Sequence, residues 1–262
     1  MPMYLSRIRR SAAVITAAAA ILLAVGATPA QAATPAATSP HGHTAPLSPG
    51  HHSGRTTANT TSTNWFGYAA SEGGYSSVES TWVEPAVDCS QGGHVVFWVG
   101  LDGWGSGTVE QTGSGADCDN GRASYYGWWE TYPANAIQSY DDTVRAGDQF
   151  YAKVTFLGGN EYTLYLENRT EGWTRNQDVF GAQGASNASA EVVGETPSYS
   201  GGNASLPDFN SATFTDSNVD GSPIGNSRPD AIDLVRNGDL LASTGSLNGG
   251  GDAFAVTWQR NS

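Results

Sequence analysis

Histidine is scarce in the part of the chain that can fold, and this scarcity excludes several kinds of site. Four of the five histidines, His41, His43, His51 and His52, lie in a low-complexity stretch near the N-terminus, which leaves His94. One imidazole cannot build a histidine-rich metal site, and a Ser-His-Asp triad would need His94 as its base. His94 stands at a strand edge with no nucleophile-elbow motif nearby, so we expect a structural or surface role.

Basic residues are equally scarce. All 25 acidic residues follow Arg55, together with only 8 of the 12 lysines and arginines, so this region carries a formal charge of 8 − 25 = −17. This balance argues against nucleic acid as a partner, because phosphate binding needs a basic patch. At low pH the carboxylates become protonated and few positive charges remain to repel one another. The composition therefore favours an acidic working environment over a role in solubility alone.

The first 61 residues lack acidic side chains and do not resemble a folded domain. Residues 1–32 have a basic start, an apolar run and Ala30-Gln31-Ala32 as a cleavage site, which predicts a secretory signal peptide. The run is too short and alanine-rich for a stable membrane span. Residues 33–61 are predicted to be a pro-segment or linker, and residues 62–262 one domain. We expect a secreted, extracellular monomer with no membrane attachment after signal removal.

Only two cysteines are present, Cys89 and Cys118. An even count in a secreted protein favours one disulfide, and two free thiols are the alternative. Such a bridge would join the loop before one central strand to the loop that follows the next.

The chain also lacks an amphipathic helical pattern and a fixed repeat. Short alternating or apolar runs separated by turn signals predict an all-β fold, an antiparallel β-sandwich. The predicted strands lie near residues 64–70, 77–83, 95–99, 109–113, 124–133, 149–157, 161–168, 173–180, 189–195, 212–214, 232–235 and 253–259.

Carboxylate and amide chemistry is what remains. Strand alternation places Gln111 on a face with Val109, and Glu130 and Glu191 on aromatic or apolar strand faces, while Asp102 lies in a glycine-rich turn. A carboxylate can act as general base to a water, and a side-chain amide can donate to an oxyanion. A pair of carboxylates can instead cleave a glycosidic bond. The composition does not separate these two chemistries.

No phosphate-binding loop or dinucleotide fingerprint appears, and we predict no metal and no cofactor. The acidic turn with Asp117, Asp119 and Asn120 is a conceivable Ca²⁺ site, although such loops are common without metal.

Five segments occur in an order that resembles one known family. They are NWFGY (64–68), WVGLDG (98–103), EQTG (110–113), SYYGWWE (124–130) and AEVVGE (190–195). Together they resemble the glutamic peptidases of the eqolisin type, peptidase family G1, over residues 62–215.

The resemblance implies a concanavalin-like sandwich of two large antiparallel sheets, with a substrate cleft on one concave face. It implies a secreted acid endopeptidase that is made with a removable pro-segment and acts on proteins or peptides. The catalytic dyad falls on Gln111 and Glu191. Glu191 would activate a water, and Gln111 would help hold that water and stabilise the oxyanion. Positions expected to shape the cleft and hydrogen-bond around the dyad are Trp65, Trp98, Asp102 and Glu130.

The chain departs from the family's fungal pattern at three positions. Tyr126 replaces an aspartate, and Thr131 and Val192 replace aromatic residues. The acidic hydrogen-bond network should therefore be reduced. The competing hypothesis is a carbohydrate-binding or glycoside-hydrolysing sandwich that uses Glu130 and Glu191, and a third is a module without activity.

Overall fold

A computed structural model describes residues 37–38, 59–199 and 202–261, with the side chains of 59–197 and 204–261. The predicted signal peptide (1–32) lies outside these residues, as does most of the predicted pro-segment (33–61). Within the described ranges, no helix has the length and apolarity that a membrane crossing requires.

Nearly all regular structure in the described residues is β-strand. One short 3₁₀ helix spans Ile224–Ser227. The strands are β1 (Ala37–Thr38), β2 (Thr60–Ser62), β3 (Trp65–Ala70), β4 (Ser77–Val83), β5 (Gly93–Leu101), β6 (Val109–Asp119), β7 (Arg122–Tyr132), β8 (Asn135–Ser139), β9 (Gln149–Gly158), β10 (Glu161–Asn168), β11 (Trp173–Phe180), β12 (Ala190–Glu195), β13 (Ser198–Tyr199), β14 (Gly202–Asn203), β15 (Ser211–Val219), β16 (Ser222–Pro223), β17 (Asp230–Arg236), β18 (Asp239–Thr244) and β19 (Phe254–Trp258).

The strands form two antiparallel layers. The first layer has the order β8-β7-β6-β5-β12-β3-β17, with β1 added beside β8 and β2 parallel to β17. The second has the order β11-β10-β9-β4-β15-β19. Strand β18 pairs with both β17 and β19, so hydrogen bonding is continuous through 17 strands. The predicted sandwich of two large sheets is confirmed, and β18 joins its layers.

The main apolar core lies between the layers and follows from the period-2 pattern of the strands. In β10 the even-numbered residues are buried and the odd-numbered ones are at least partly exposed. The central strands β3, β5 and β12 are buried on both faces, which explains their continuous apolar runs. Large core side chains from the two layers include Phe66, Phe97, Trp82, Phe150 and Phe214.

A second apolar cluster covers the other face of the first layer, which we call the outer face. It contains Trp65, Ala69, Trp98, Trp104, Val109, Trp128 and Val193, among others. Alternation along β5, β6, β7 and β12 puts every second side chain on this face. The expected site residues on these strands therefore belong to the outer face and not to the core between the layers.

Strand β6 is longer than predicted. The predicted strand ends at Gly113, and glycine is generally depleted in strands. In the structure β6 nevertheless continues through Gly113 and Gly115 to Asp119. A Cβ on Gly113 would lie 2.1 Å from the Phe97 carbonyl oxygen, and one on Gly115 2.6 Å from a Val96 methyl carbon. Close approach of neighbouring strands, rather than a turn, requires these glycines. Strands β8 and β18 were not predicted at all.

The disulfide prediction is confirmed. Cys89 and Cys118 are bonded, with their Cα atoms 5.0 Å apart. Because β6 is longer than predicted, Cys118 lies near the end of that strand and not in the following loop. The bridge links the segment before β5 to the far end of β6, the strand that carries Gln111.

Glu84 is a carboxyl group buried inside the sandwich. Its Oε2 accepts a hydrogen bond from the Ser114 hydroxyl, which in turn accepts one from the Trp82 indole at 2.8 Å. Among the described residues, no group hydrogen-bonds to its Oε1. Burial raises the pKa of Glu84 to about 8, and the Ser114 hydrogen bond offsets part of this effect. Glu84 is therefore neutral in acid and becomes costly when it ionises.

We predict that the free energy of unfolding falls as the pH rises. A carboxyl whose folded-state pKa is raised stabilises the fold below its unfolded pKa of about 4.3, and this stabilisation is lost as the pH rises through the folded value. For Glu84 alone the loss between pH 4.5 and 8 is on the order of 4 kcal/mol. Urea unfolding at a series of pH values measures it. Glu84→Gln should flatten the dependence, and Glu161→Gln on the surface should not; equal slopes for both variants would contradict the prediction.

Candidate active site

Strand register brings the expected dyad together on the outer face. Gln111 pairs with Gly100 across β6 and β5, and Gly100 pairs with Glu191 across β5 and β12. On the other side, Gln111 pairs with Glu130 of β7. Residues in register on neighbouring strands share a face, so these four form one row across the sheet. The Cα atoms of Gln111 and Glu191, two strands apart, are about 10 Å from each other.

Gly100 places no side chain between Gln111 and Glu191. A Cβ at this position would lie 2.8 Å from the Trp98 ring and 3.2 Å from the Gln111 Cβ. Any side chain here would also project between Gln111 and Glu191. The glycine thus leaves the position between Gln111 and Glu191 without a side chain, and the Trp98 ring lies close to it. We call this position the gap above Gly100.

Gln111 is oriented by Glu130. The Gln111 Nε2 donates to Glu130 Oε2 at 2.7 Å, and both side chains are buried. Burial, helped by the nearby Glu195 carboxyl, holds the pKa of Glu130 well above its usual range, and the bond from Gln111 offsets part of this effect. One N–H of the Gln111 amide is fixed in this way. Its second N–H and its Oε1 remain for another partner.

Glu191 is held at the start of β12. The backbone N–H of Trp104 donates to its Oε1 at 3.3 Å and to the Ser189 hydroxyl at 3.1 Å. Complete burial raises the pKa of Glu191 well above its usual range, hydrogen bonding from Ser189 lowers it, and the Asp102 carboxylate raises it further. Glu191 is therefore a stronger base than an exposed glutamate.

Three buried oxygen atoms of this row accept no hydrogen bond from the described residues. They are Gln111 Oε1, Glu130 Oε1 and Glu191 Oε2. A buried polar atom without a partner is costly, and several together indicate a place where a polar ligand binds. Gln111 and Glu191 flank the gap above Gly100, and Glu130 lies on the far side of Gln111.

Asp102 fixes the segment that leads into Glu191. Its carboxylate accepts hydrogen bonds from the backbone N–H groups of Ser186, Asn187 and Ala188 at 2.7, 2.8 and 2.7 Å. Its own N–H donates to the Ser189 carbonyl at 2.9 Å. Asp102 has a left-handed backbone (φ 67°), which aspartate tolerates better than most residues. It acts on the backbone beside Glu191 and makes no hydrogen bond to Glu191 or Gln111.

Tryptophans and a second buried glutamate fill the sheet beside the row. The rings of Trp65 and Trp98 meet edge to face at 4.8 Å, and Trp104 stacks on Trp65 at 6.1 Å. Trp98 Nε1 and Asn64 Nδ2 both donate to Glu195, at 3.1 Å each. Burial raises the pKa of Glu195 to about 8, and these hydrogen bonds offset part of the rise.

The described structure thus assembles every predicted site residue on one face or beside it. Sequence reasoning missed Trp104 and Ser189, which hold Glu191, because both depend on a loop whose path strand patterns do not predict. The Tyr126 substitution lies further along the outer face. Its hydroxyl donates to Asp117 at 3.0 Å, and Asp117 also bonds His94 at 2.8 Å. In the described part of the chain, no three His, Cys, Asp or Glu side chains are grouped as metal ligands.

Comparison with known proteins places the chain in a family. The model of the peptidase A4 family matches residues 63–258. The chain belongs to the peptidase A4 family. The match extends well beyond residue 215, where the resemblance seen in the sequence ends.

Three relatives agree with this assignment. Aspergillopepsin-2 from Aspergillus niger is 27% identical over 222 residues, which cover 75% of this chain and 78% of that protein. Scytalido-glutamic peptidase with a transition state analog inhibitor has the same fold, with a TM-score of 0.65 and 22% identity over 76% of this chain and all of that one. Aspergilloglutamic peptidase from Aspergillus niger has a TM-score of 0.56 and 26% identity, over 63% of this chain and 99% of that one. The expectation of an eqolisin-type glutamic endopeptidase is confirmed.

We predict that Asp102→Asn destabilises the peptidase by about 2–3 kcal/mol, the usual cost of losing a hydrogen bond to a charged group. An asparagine has only one acceptor oxygen. Its NH₂ group would face a backbone N–H group that now donates a hydrogen bond to the carboxylate. Urea unfolding of the two proteins at one pH measures the difference. Asp88→Asn is the matched control, because Asp88 accepts from one exposed N–H, that of Ser90. A variant at 102 as stable as the control would contradict the assigned role.

Proposed function

We propose that this peptidase hydrolyses peptide bonds in the gap above Gly100, with Glu191 as general base and Gln111 as oxyanion donor. The observation that carries the proposal is the row itself. Gln111 and Glu191 face the same gap from opposite sides, and each has a buried oxygen without a partner among the described residues.

In the first step a water lies between Gln111 Oε1 and Glu191 Oε2 and donates a hydrogen bond to each. Glu191 takes one proton while the water oxygen bonds to the scissile carbonyl carbon. The carbonyl oxygen becomes an oxyanion and accepts a hydrogen bond from the second N–H of the Gln111 amide. Glu130 supports this step because it fixes the first N–H and thereby the plane of the amide.

In the second step the protonated Glu191 returns its proton to the leaving nitrogen. The carbon–nitrogen bond breaks, the oxyanion re-forms a carbonyl, and the products are a carboxylic acid and an amine. Glu191 ends ionised, as it began. The raised pKa of Glu191 makes its carboxylate a stronger base, and only molecules in which Glu191 is ionised begin the first step.

We further propose that the enzyme acts outside the cell at acid pH on proteins or peptides. The charge of −17 after Arg55 and the signal-like residues 1–32 support this setting. The buried carboxyls support it too, because Glu84 and Glu195, with pKa values near 8, are neutral only below that pH. A glycosidase that pairs Glu130 with Glu191 is disfavoured, because Gln111 stands between them and bonds Glu130.

Replacement of either dyad residue should abolish proteolysis. Glu191→Gln removes the base, and Gln111→Ala removes a donor whose loss typically costs about 10²–10³ in rate. Hydrolysis of a denatured protein at acid pH measures both effects. Glu161→Gln and Gln149→Ala, which change exposed residues of β10 and β9, are the matched controls. Near-normal hydrolysis by either dyad variant, with its fold intact, would refute the mechanism.

The pH profile separates the charge of Glu130 from its hydrogen bond. Because the pKa of Glu130 is raised and glutamine keeps a neutral acceptor for the Gln111 amide, Glu130→Gln should retain most acid activity and extend it to higher pH. Glu130→Leu removes the acceptor of the Gln111 amide and should lower kcat at every pH, by at least about tenfold. Profiles of kcat for the three proteins test this. Equal losses in both variants would mean that Glu130 acts through its charge.

A further inference from the structure

The catalytic row continues on the other side of Glu191. Glu191 pairs with Ala69 across β12 and β3, and Ala69 pairs with Asp230 across β3 and β17. Asp230 is therefore two strands from Glu191, about 10 Å between Cα atoms, and on the same outer face. Gln111 is equally far away on the opposite side. A small residue lies in each interval, Gly100 on one side and Ala69 on the other.

Trp104 holds Asp230 and Glu191 in one arrangement. Its indole Nε1 donates to Asp230 Oδ2 at 3.1 Å, and its backbone N–H donates to Glu191 Oε1 at 3.3 Å. The indole is nearly buried and stacks on Trp65. Asp230 therefore has a fixed position relative to the base.

The carboxylate of Asp230 has capacity for another partner. The residue is partly exposed, and among the described residues no lysine or arginine forms an ion pair with it. Trp104 occupies Oδ2, and within the same residues no donor is hydrogen-bonded to Oδ1. A carboxylate in this state attracts a cationic side chain, and a hydrogen bond between two charged groups is stronger than one between neutral groups.

We propose that Asp230 selects a lysine or arginine side chain close to the scissile bond of the substrate. The proposal rests on the proposed function, since it takes the gap above Gly100 as the place of cleavage. A peptide that crosses the row there has its nearby side chains within reach of Asp230. Ala69 is fully buried between Glu191 and Asp230. A long side chain would therefore reach the partly exposed Asp230 along the Trp104 indole. Long, flexible lysine and forked arginine side chains both suit an anchored carboxylate.

Peptide pairs test this selectivity. Each pair shares one scissile bond and differs at one position, among the three residues on either side, where one member has lysine and the other uncharged norleucine. For the wild type we expect kcat/KM to favour lysine about tenfold at one position. Asp230→Asn should bring this ratio close to one, mainly through slower cleavage of the lysine peptide. Asparagine keeps an oxygen that can accept the hydrogen bond from the Trp104 indole, so the loop between β5 and β6 that carries Trp104 should stay in place.

Two further variants make the test specific. Asp230→Lys should favour glutamate over lysine at the same position. Asp178→Asn, which removes one negative charge from β11 in the second layer, should leave the ratio as in the wild type. A wild type without preference at any position, or a preference that survives Asp230→Asn, would overturn the proposal.

Binding separates this proposal from the proposed function. Calorimetric affinities of the same lysine and norleucine peptides for Glu191→Gln report selectivity without turnover. If Glu191→Gln still cleaves peptides, the proposed mechanism fails. The role of Asp230 can then still be tested from the ratio of kcat/KM between the lysine and norleucine peptides. If the affinities show no lysine preference while Glu191→Gln is inactive, only the role of Asp230 fails.

Discussion

The register of β6, β5 and β12 is the constraint on which the rest of the structure depends. It puts Gln111, Gly100 and Glu191 in one row, and a slip of one residue would turn Gln111 into the core and Glu110 onto the outer face. The close strand contacts at Gly113, the disulfide of Cys118 and the burial of both faces of the central strands all favour this one register.

Burial of carboxyl groups links the stability of the fold to its chemistry. Glu84 inside the sandwich and Glu130, Glu191 and Glu195 on the outer face all have raised pKa values, with burial as the main cause. A protein with several such groups is most stable when they are neutral, which is in acid. The same burial makes the Glu191 carboxylate a stronger base. Stability thus favours the neutral carboxyls, whereas the proposed base must be ionised for the first step.

Sequence patterns predicted the strands that carry the site but not how the site is held. Alternation correctly separates Gln111 from Glu110, and the disulfide follows from the cysteine count. Composition and spacing did not identify the family; the order of five short motifs did. The length of β6 was missed because its glycines are required by close contacts with β5, and these contacts exist only in the folded chain. Trp104 and Asp230 were missed for a related reason, because one lies in a loop and the other meets Glu191 only through pairing with β3.

The most direct test of the central claim is a crystal structure of Glu191→Gln with an uncleaved peptide bound. This variant keeps the size of the side chain and removes its function as a base. The account predicts that the scissile carbonyl lies above Gly100, with its carbon between residues 111 and 191 and its oxygen within hydrogen-bond distance of the Gln111 amide. A peptide bound away from this row, or one whose carbonyl oxygen points away from Gln111, would contradict the account.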